Sequence, residues 1–148
     1  MNKLSRVVGI AVLFASLTPV EGHATEDCAE VQARGDGGTL PDGTTAATIQ
    51  NGILRGTTHG VFGITGLQGN TLLFAGTLTF DTKHGTLETQ VVGTLDLTSG
   101  AFTTDTVAFT SGSGNFAGAT GTISVTGVQN LVTGTFTETL RGQVCLPE

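Results

Sequence analysis

The sequence predicts an all-β protein built as a single antiparallel β-barrel of about eight strands. Three observations indicate this fold: apolar and polar residues alternate over strand-length segments, turn residues separate those segments at hairpin spacing, and glycine and threonine dominate a chain that lacks Trp and Tyr. Threonine favours strands, whereas glycine marks turns, bulges and bends. No apolar period of 3.6 residues persists beyond the first residues, so we expect almost no helix.

The first residues have the pattern of a secretory signal peptide. A positively charged start precedes an apolar run over residues 7–17, and residues 22–24 have the small-x-small pattern of a cleavage site. The run is too short to span a bilayer. We therefore predict a signal peptide over residues 1–24 and a barrel domain over residues 25–148. The mature protein is expected to be secreted or periplasmic and to have no membrane anchor.

The mature chain is acidic. Without the signal peptide it keeps four basic and eleven acidic side chains, a net charge of about −7. This charge disfavours nucleic acid and anionic membrane surfaces as partners. Since the acidic residues are scattered, their main expected effect is solubility.

The first part of the chain predicts three strands. Residues 28–34 form a short first strand, and residues 35–45 are predicted to be a loop because Pro41, Asp42 and Gly43 favour a turn. The next two strands are predicted over residues 48–56 and 60–66.

The middle of the chain contains the clearest strand, residues 71–82, after a turn at Gly69. Its apolar residues share one face: Leu72, Phe74, Leu78 and Phe80. A turn at residues 83–85 leads to the next alternating segment, residues 86–97, whose apolar face carries Leu87, Val91, Leu95 and Leu97.

The last part of the chain predicts three further strands, over residues 101–110, 122–128 and 131–145. Residues 109–121 form a glycine-rich corner that contains Phe109 and Phe116. Glycines at this density allow backbone to pack on backbone, and the phenylalanines can fill the core beneath the corner. A single open sheet of eight strands would leave two edges unpaired, whereas closure into a barrel removes them.

Two cysteines, Cys28 and Cys145, lie near the two ends of the mature chain. Export implies an oxidising compartment, so we expect them to form one disulfide that ties the first strand to the last. Free or intermolecular thiols are the alternative. No metal site is expected, because neither histidine of the mature chain lies at ligand spacing to a cysteine.

The corner over residues 109–121, with the strand that follows it, resembles the glycine-rich corner of the allene oxide cyclase and dirigent β-barrel superfamily. The segment over residues 134–145 is similar to the closing strand of exported bacterial members. The resemblance implies an eight-stranded barrel with a hydrophobic cavity, often as a homotrimer, that directs the cyclisation or coupling of a small apolar molecule without a cofactor. It places no catalytic residue by motif, and the absence of Tyr is a departure from dirigent cavities.

Glu138 is the first candidate catalytic residue. On the last strand it shares its face with Phe136 and Leu140, so strict alternation points it into the barrel. A buried carboxyl with a raised pKa could act as an acid, a base or a ligand anchor. A bulge at Gly134 or Gly142 would instead turn it towards water.

Asp105 is the second candidate catalytic residue. It shares a face with Val107 and Phe109, but its other neighbours are threonines, so either face could point inward. The candidate ligand-binding residues are Phe74, Phe80, Phe109 and Phe136.

The residues favour three classes of function. The first two are a cofactor-free enzyme and a non-catalytic barrel, each acting on a small apolar molecule. The third is a structural or interaction module of the cell exterior, whose barrel would be filled by its own phenylalanines. A cavity of several hundred Å³ that contains a carboxyl distinguishes the first two from the third.

Overall fold

The computed structural model describes residues 27–148, and the predicted signal peptide lies outside them. The described chain forms a closed, eight-stranded antiparallel barrel in which each strand pairs with its neighbours in sequence and β1 pairs with β8. The strands are β1 (Asp27–Thr39), β2 (Thr45–Ile49), β3 (Gly56–Gln68), β4 (Thr71–Thr82), β5 (Gly85–Asp96), β6 (Ala101–Gly112), β7 (Thr120–Gln129) and β8 (Thr135–Leu146). The predicted fold class is confirmed.

The predicted disulfide is also confirmed. Cys28 and Cys145 lie directly opposite each other in the β1–β8 pair, with their Cα atoms 3.9 Å apart. The bond therefore links the first and last strands at the seam where the barrel closes. It is compatible with an oxidising compartment.

The segment from residue 35 to residue 39 is a strand, where the sequence predicted a loop. Gly35 pairs with Glu138 and Gly37 with Phe136 across the β1–β8 seam. A glycine-rich run has no alternating side chains, which is why its strand character was missed. Its glycines leave room inside the barrel for the larger side chains opposite.

The predicted strand over residues 48–56 is correct only at its start. β2 ends at Ile49, and residues 50–55 form the connection to β3, in which Leu54 is buried at the end of the barrel. The apolar residues of this connection suggested a strand, but they cap the core instead.

At one end of the barrel, buried side chains fill the interior. Phe80, Leu87, Phe116 and Val144 have almost no exposed surface there. Phe116 belongs to the short 3-10 helix Gly114–Phe116 within the predicted corner, so the corner does fill the core beneath it. Gly114 has a φ of +57°, and a Cβ atom added to it would lie 2.4 Å from the carbonyl oxygen of His84, so only glycine fits this turn.

Within residues 27–148, no helix is both long and apolar enough to cross a membrane.

Candidate functional site

The other end of the barrel contains a cavity of about 290 Å³. This is the end that carries the loops after β1, β3, β5 and β7. The cavity reaches the surface beside Thr39, Gly43 and Ile64, which are exposed. Its apolar lining consists mainly of Phe62, Leu72, Phe74, Leu78, Leu95, Phe102, Val125 and Phe136. The volume is near the lower limit of pockets that hold small organic ligands.

Four phenylalanines form two ring pairs in this cavity. The rings of Phe62 and Phe74 have centroids 5.2 Å apart, and those of Phe102 and Phe136 are 5.8 Å apart in an edge-to-face arrangement. All four side chains are only half-buried, because they face an accessible space.

Each of these phenylalanines lies opposite a glycine on a neighbouring strand. The pairs are Phe62 with Gly76, Phe74 with Gly93, Phe102 with Gly127, and Phe136 with Gly37. A Cβ atom added to Gly93 would lie 2.3 Å from the Phe74 ring, and one added to Gly127 would lie 2.7 Å from the Phe102 ring. The rings of Phe74, Phe102 and Phe136 therefore lie over the glycines opposite them, whereas the Phe62 ring lies against Gly60 of its own strand.

Among residues 27–148, Glu138 is the one ionisable residue that lines the cavity. The register of β8 is continuous with both neighbours, so no bulge turns Glu138 outward. It lies between Gly35 on β1 and Gly127 on β7, and a Cβ atom added to Gly35 would lie 2.8 Å from its Oε1 atom. Gly35 therefore makes room for the carboxyl group, whereas Gly127 makes room for the Phe102 ring.

The Glu138 carboxyl group has no hydrogen bond or ion pair with any other residue in the described part of the chain. Burial raises its pKa to about 7, and the negative charge of Asp36 adds to this effect. A carboxyl with this pKa exists in both protonation states near neutral pH. It can therefore donate a proton, accept one, or anchor a ligand.

Two threonines add neutral polar groups to the cavity. Thr58 and Thr104 are buried side chains of the lining, and their hydroxyl groups have no hydrogen-bond partner among residues 27–148. Since each hydroxyl can both donate and accept a hydrogen bond, they supply contacts for a polar group of a ligand.

The structure separates the two candidate catalytic residues. Asp105 is exposed on the outer face of β6, where the hydroxyl group of Ser124 donates a 2.6 Å hydrogen bond to its Oδ1 atom. It pairs with Val92 of β5, which is also exposed, so it does not contribute to the cavity.

Asp105 and Phe109 were expected on one face, and this was wrong. The β5–β6 register shifts between Thr106 and Ala108, which leaves Val107 without a partner. This bulge reverses the alternation, so that Phe109 packs against the core while Asp105 points outward.

The four candidate ligand-binding phenylalanines divide into two groups. Phe74 and Phe136 line the cavity, whereas Phe80 is fully buried and Phe109 packs against the core outside the cavity lining. Phe62 and Phe102 line the cavity but were missed. Alternation along their strands could have placed them inside the barrel, but only the register shows which end of the barrel they share.

Within residues 27–148, no group of three or more His, Cys, Asp or Glu side chains lies close enough together to hold a metal ion. Comparisons with families of known proteins, with curated proteins and with solved structures found no match to this chain. The cavity is therefore the feature of this protein that bears on its function.

Proposed function

We propose that this protein is an exported small-molecule-binding barrel that holds a largely apolar ligand in the cavity beside Glu138. The observation that carries the proposal is an accessible cavity of about 290 Å³ that is lined by four phenylalanines and contains a single carboxyl group. Burial of apolar ligand surface would supply the binding energy, and the polar groups would fix its orientation. The signal-like N-terminus and the disulfide support a secreted or periplasmic location.

The cavity favours ligand binding over a purely structural role. In a barrel that served only as a scaffold, the inward-facing side chains would fill the interior, as they do at the end that contains Phe80 and Phe116. At the other end, three of the phenylalanine rings lie against glycines on neighbouring strands, and an accessible cavity remains between the side chains. The proposal also agrees with the cavity that the resemblance to the allene oxide cyclase and dirigent superfamily implies.

Native mass spectrometry of the protein purified from its own exported fraction tests whether it carries a ligand. We expect a species heavier than the disulfide-bonded mature chain by the mass of a small organic molecule, and we expect that mass to be lost on mild activation. The same spectrum reports the number of subunits and therefore tests the implied homotrimer.

Filling the cavity is expected to prevent binding. We predict that Leu95→Trp weakens the binding of a neutral apolar dye, N-phenyl-1-naphthylamine, at least about tenfold, because the larger ring occupies the cavity. Val92→Trp is the matched control, since Val92 lies on the outer face of the same strand and is 46% exposed. Dye emission measured during titration gives both affinities. Equal binding by the two variants, or no binding by the wild type, would contradict a ligand-binding cavity.

A second candidate function, cofactor-free catalysis of cyclisation or coupling, is favoured by the pKa of Glu138. A carboxyl group with a pKa of about 7 is matched to proton transfer near neutral pH. With the compound recovered from the protein as substrate, Glu138→Gln should lower turnover about 100-fold and leave the binding of the neutral dye intact. Turnover that persists in this variant would exclude Glu138 as the acid or base, and a wild type without turnover would leave ligand binding as the function.

A further inference from the structure

The charge that lines the cavity is negative only, among the residues that the structure describes. In the part of the chain that the structure describes, the lining contains the Glu138 carboxyl group but no basic residue. The cationic residues in the described part of the chain, Arg34, Arg55, Lys83 and Arg141, are all exposed. Arg141 is on the same strand as Glu138 but at a position that points outward. No cation of residues 27–148 therefore neutralises the carboxylate, whereas a cationic ligand group would.

Aromatic rings lie next to this carboxyl group. Phe136 is two residues before Glu138 on the same strand face, and the Phe102 ring lies over Gly127, the β7 partner of Glu138. Because Phe102 and Phe136 are also in edge-to-face contact, the two rings and the carboxyl group form one cluster. The faces of aromatic rings carry negative electrostatic potential and attract ammonium groups.

We propose that the ligand of this cavity is a protonated amine with an apolar body, whose nitrogen is held by the Glu138 carboxylate and the rings of Phe102 and Phe136. This inference rests on the proposed binding function and names its ligand class. The apolar body lies against the remaining leucine, valine and phenylalanine side chains of the lining. An anionic ligand of the same shape is disfavoured, because its charge would lie beside an uncompensated carboxylate.

Three probes with one naphthalene body and different head groups test the inference: 1-naphthylmethylamine, 1-naphthalenemethanol and 1-naphthoic acid. Since the chain has no Trp or Tyr, the naphthalene emission can be followed without interference from protein fluorescence. At pH 8 we expect the amine to bind at least about tenfold more tightly than the alcohol, as expected for a hydrogen bond to a charged group. The acid should bind more weakly than the alcohol.

Two variants separate the contributions of charge and rings. Glu138→Gln keeps the size of the side chain and should remove the advantage of the amine over the alcohol. Phe136→Leu keeps an apolar side chain and should weaken the amine by about threefold, with a smaller effect on the alcohol. The comparison of the three probes on the wild-type protein remains decisive even if a variant does not fold.

The amine should also show a pH dependence that the alcohol lacks. Its affinity is expected to fall by about tenfold between pH 8 and pH 6, because protonation of Glu138, whose pKa is about 7, removes the charge that holds the ammonium group. Two charged residues of β1, Arg34 and Asp36, flank Gly35, the residue that pairs with Glu138, and both are exposed. Asp36 is the one that raises the pKa of Glu138. β7 has no charged residue, and Arg141 of β8 is exposed.

The results distinguish this inference from the proposed function. If the alcohol binds but the amine has no advantage, or if the advantage persists in Glu138→Gln, the ligand class is wrong and the binding cavity stands. If none of the three naphthalene probes binds and the neutral dye does not bind either, the proposed binding function fails as well.

Discussion

Removal of the Cys28–Cys145 disulfide is expected to lower the free energy of unfolding by about 4–5 kcal/mol. The bond closes a loop of 117 residues, nearly the whole described chain, so it greatly restricts the unfolded state. In the folded barrel the two cysteines lie opposite each other in the β1–β8 pair, so the bond forms without a change in the positions of the strands. Urea titration of the Cys28→Ser/Cys145→Ser variant against the oxidised wild type measures the difference.

The reduced wild-type protein is the matched control for this variant. It keeps both sulfur atoms and lacks only the bond, so the two proteins should have the same stability. A loss below about 1 kcal/mol in both would show that the bond does not restrict the unfolded chain. If only the serine variant loses stability, the effect belongs to the side chains and not to the bond.

The same variant should keep its ligand affinity while it is folded. Cys145 is seven residues beyond Glu138, which corresponds to about 23 Å along β8 at about 3.3 Å per residue. The disulfide lies at the packed end of the barrel and the cavity lies at the other. A large loss of dye binding at low urea would show that the two ends are coupled.

Glu138 is expected to make the protein less stable as the pH rises from about 5 to about 8. Its pKa is about 7 in the folded protein and has the ordinary value of 4.5 in an unfolded chain. Between these values the folded state binds the proton more tightly, so the free energy of unfolding decreases as the pH rises. Below about pH 4.5 the carboxyl group is neutral in both states and the penalty is absent. Above about pH 7 the full penalty applies, up to about 3 kcal/mol.

Glu138→Gln should therefore be more stable than the wild type at pH 8, and this advantage should largely disappear at pH 4.5. When the free energies of unfolding of the two proteins are subtracted, the contributions of the titrating groups that both proteins share cancel. Asp42 and Asp96, whose pKa values are lowered by hydrogen bonds to their own turns, lose their stabilising charge only at lower pH. Asp105→Asn corrects for the change in net charge, since it removes a carboxylate from the outer face. An advantage that did not change with pH would contradict the burial of a titrating carboxyl group.

Much of the barrel could be predicted because its strands alternate strongly. β4 begins and ends where the pattern predicts, and its inward face carries the four expected residues, Leu72, Phe74, Leu78 and Phe80. The inward position of Glu138 also followed from alternation, since β8 has no bulge. β6 does have a bulge, at Val107. Alternation therefore placed Asp105 and Phe109 on the same face, although Asp105 is exposed and Phe109 packs against the core.

The glycines of the cavity could not be interpreted from the sequence. Gly35 and Gly37 fall in a segment that the sequence predicts to be a loop, although they pair with Glu138 and Phe136 across the β1–β8 seam. In the sequence, the run Gly35-Asp36-Gly37 is typical of a turn. In the barrel, Gly35 lies opposite Glu138 and leaves room for its carboxyl group. This pairing is fixed by the register of β1 and β8, which the sequence does not show.

The fold class, the number of strands and the pairing of the two cysteines follow from the amino-acid sequence, because they depend on the period of the side chains and on turn residues within short segments. The cavity, and the place of Glu138 in it between Gly35 and Gly127, follow only from the folded barrel. A cavity is the space left when residues far apart in the chain are brought face to face. Only the closed register of all eight strands fixes which small residues meet which large ones.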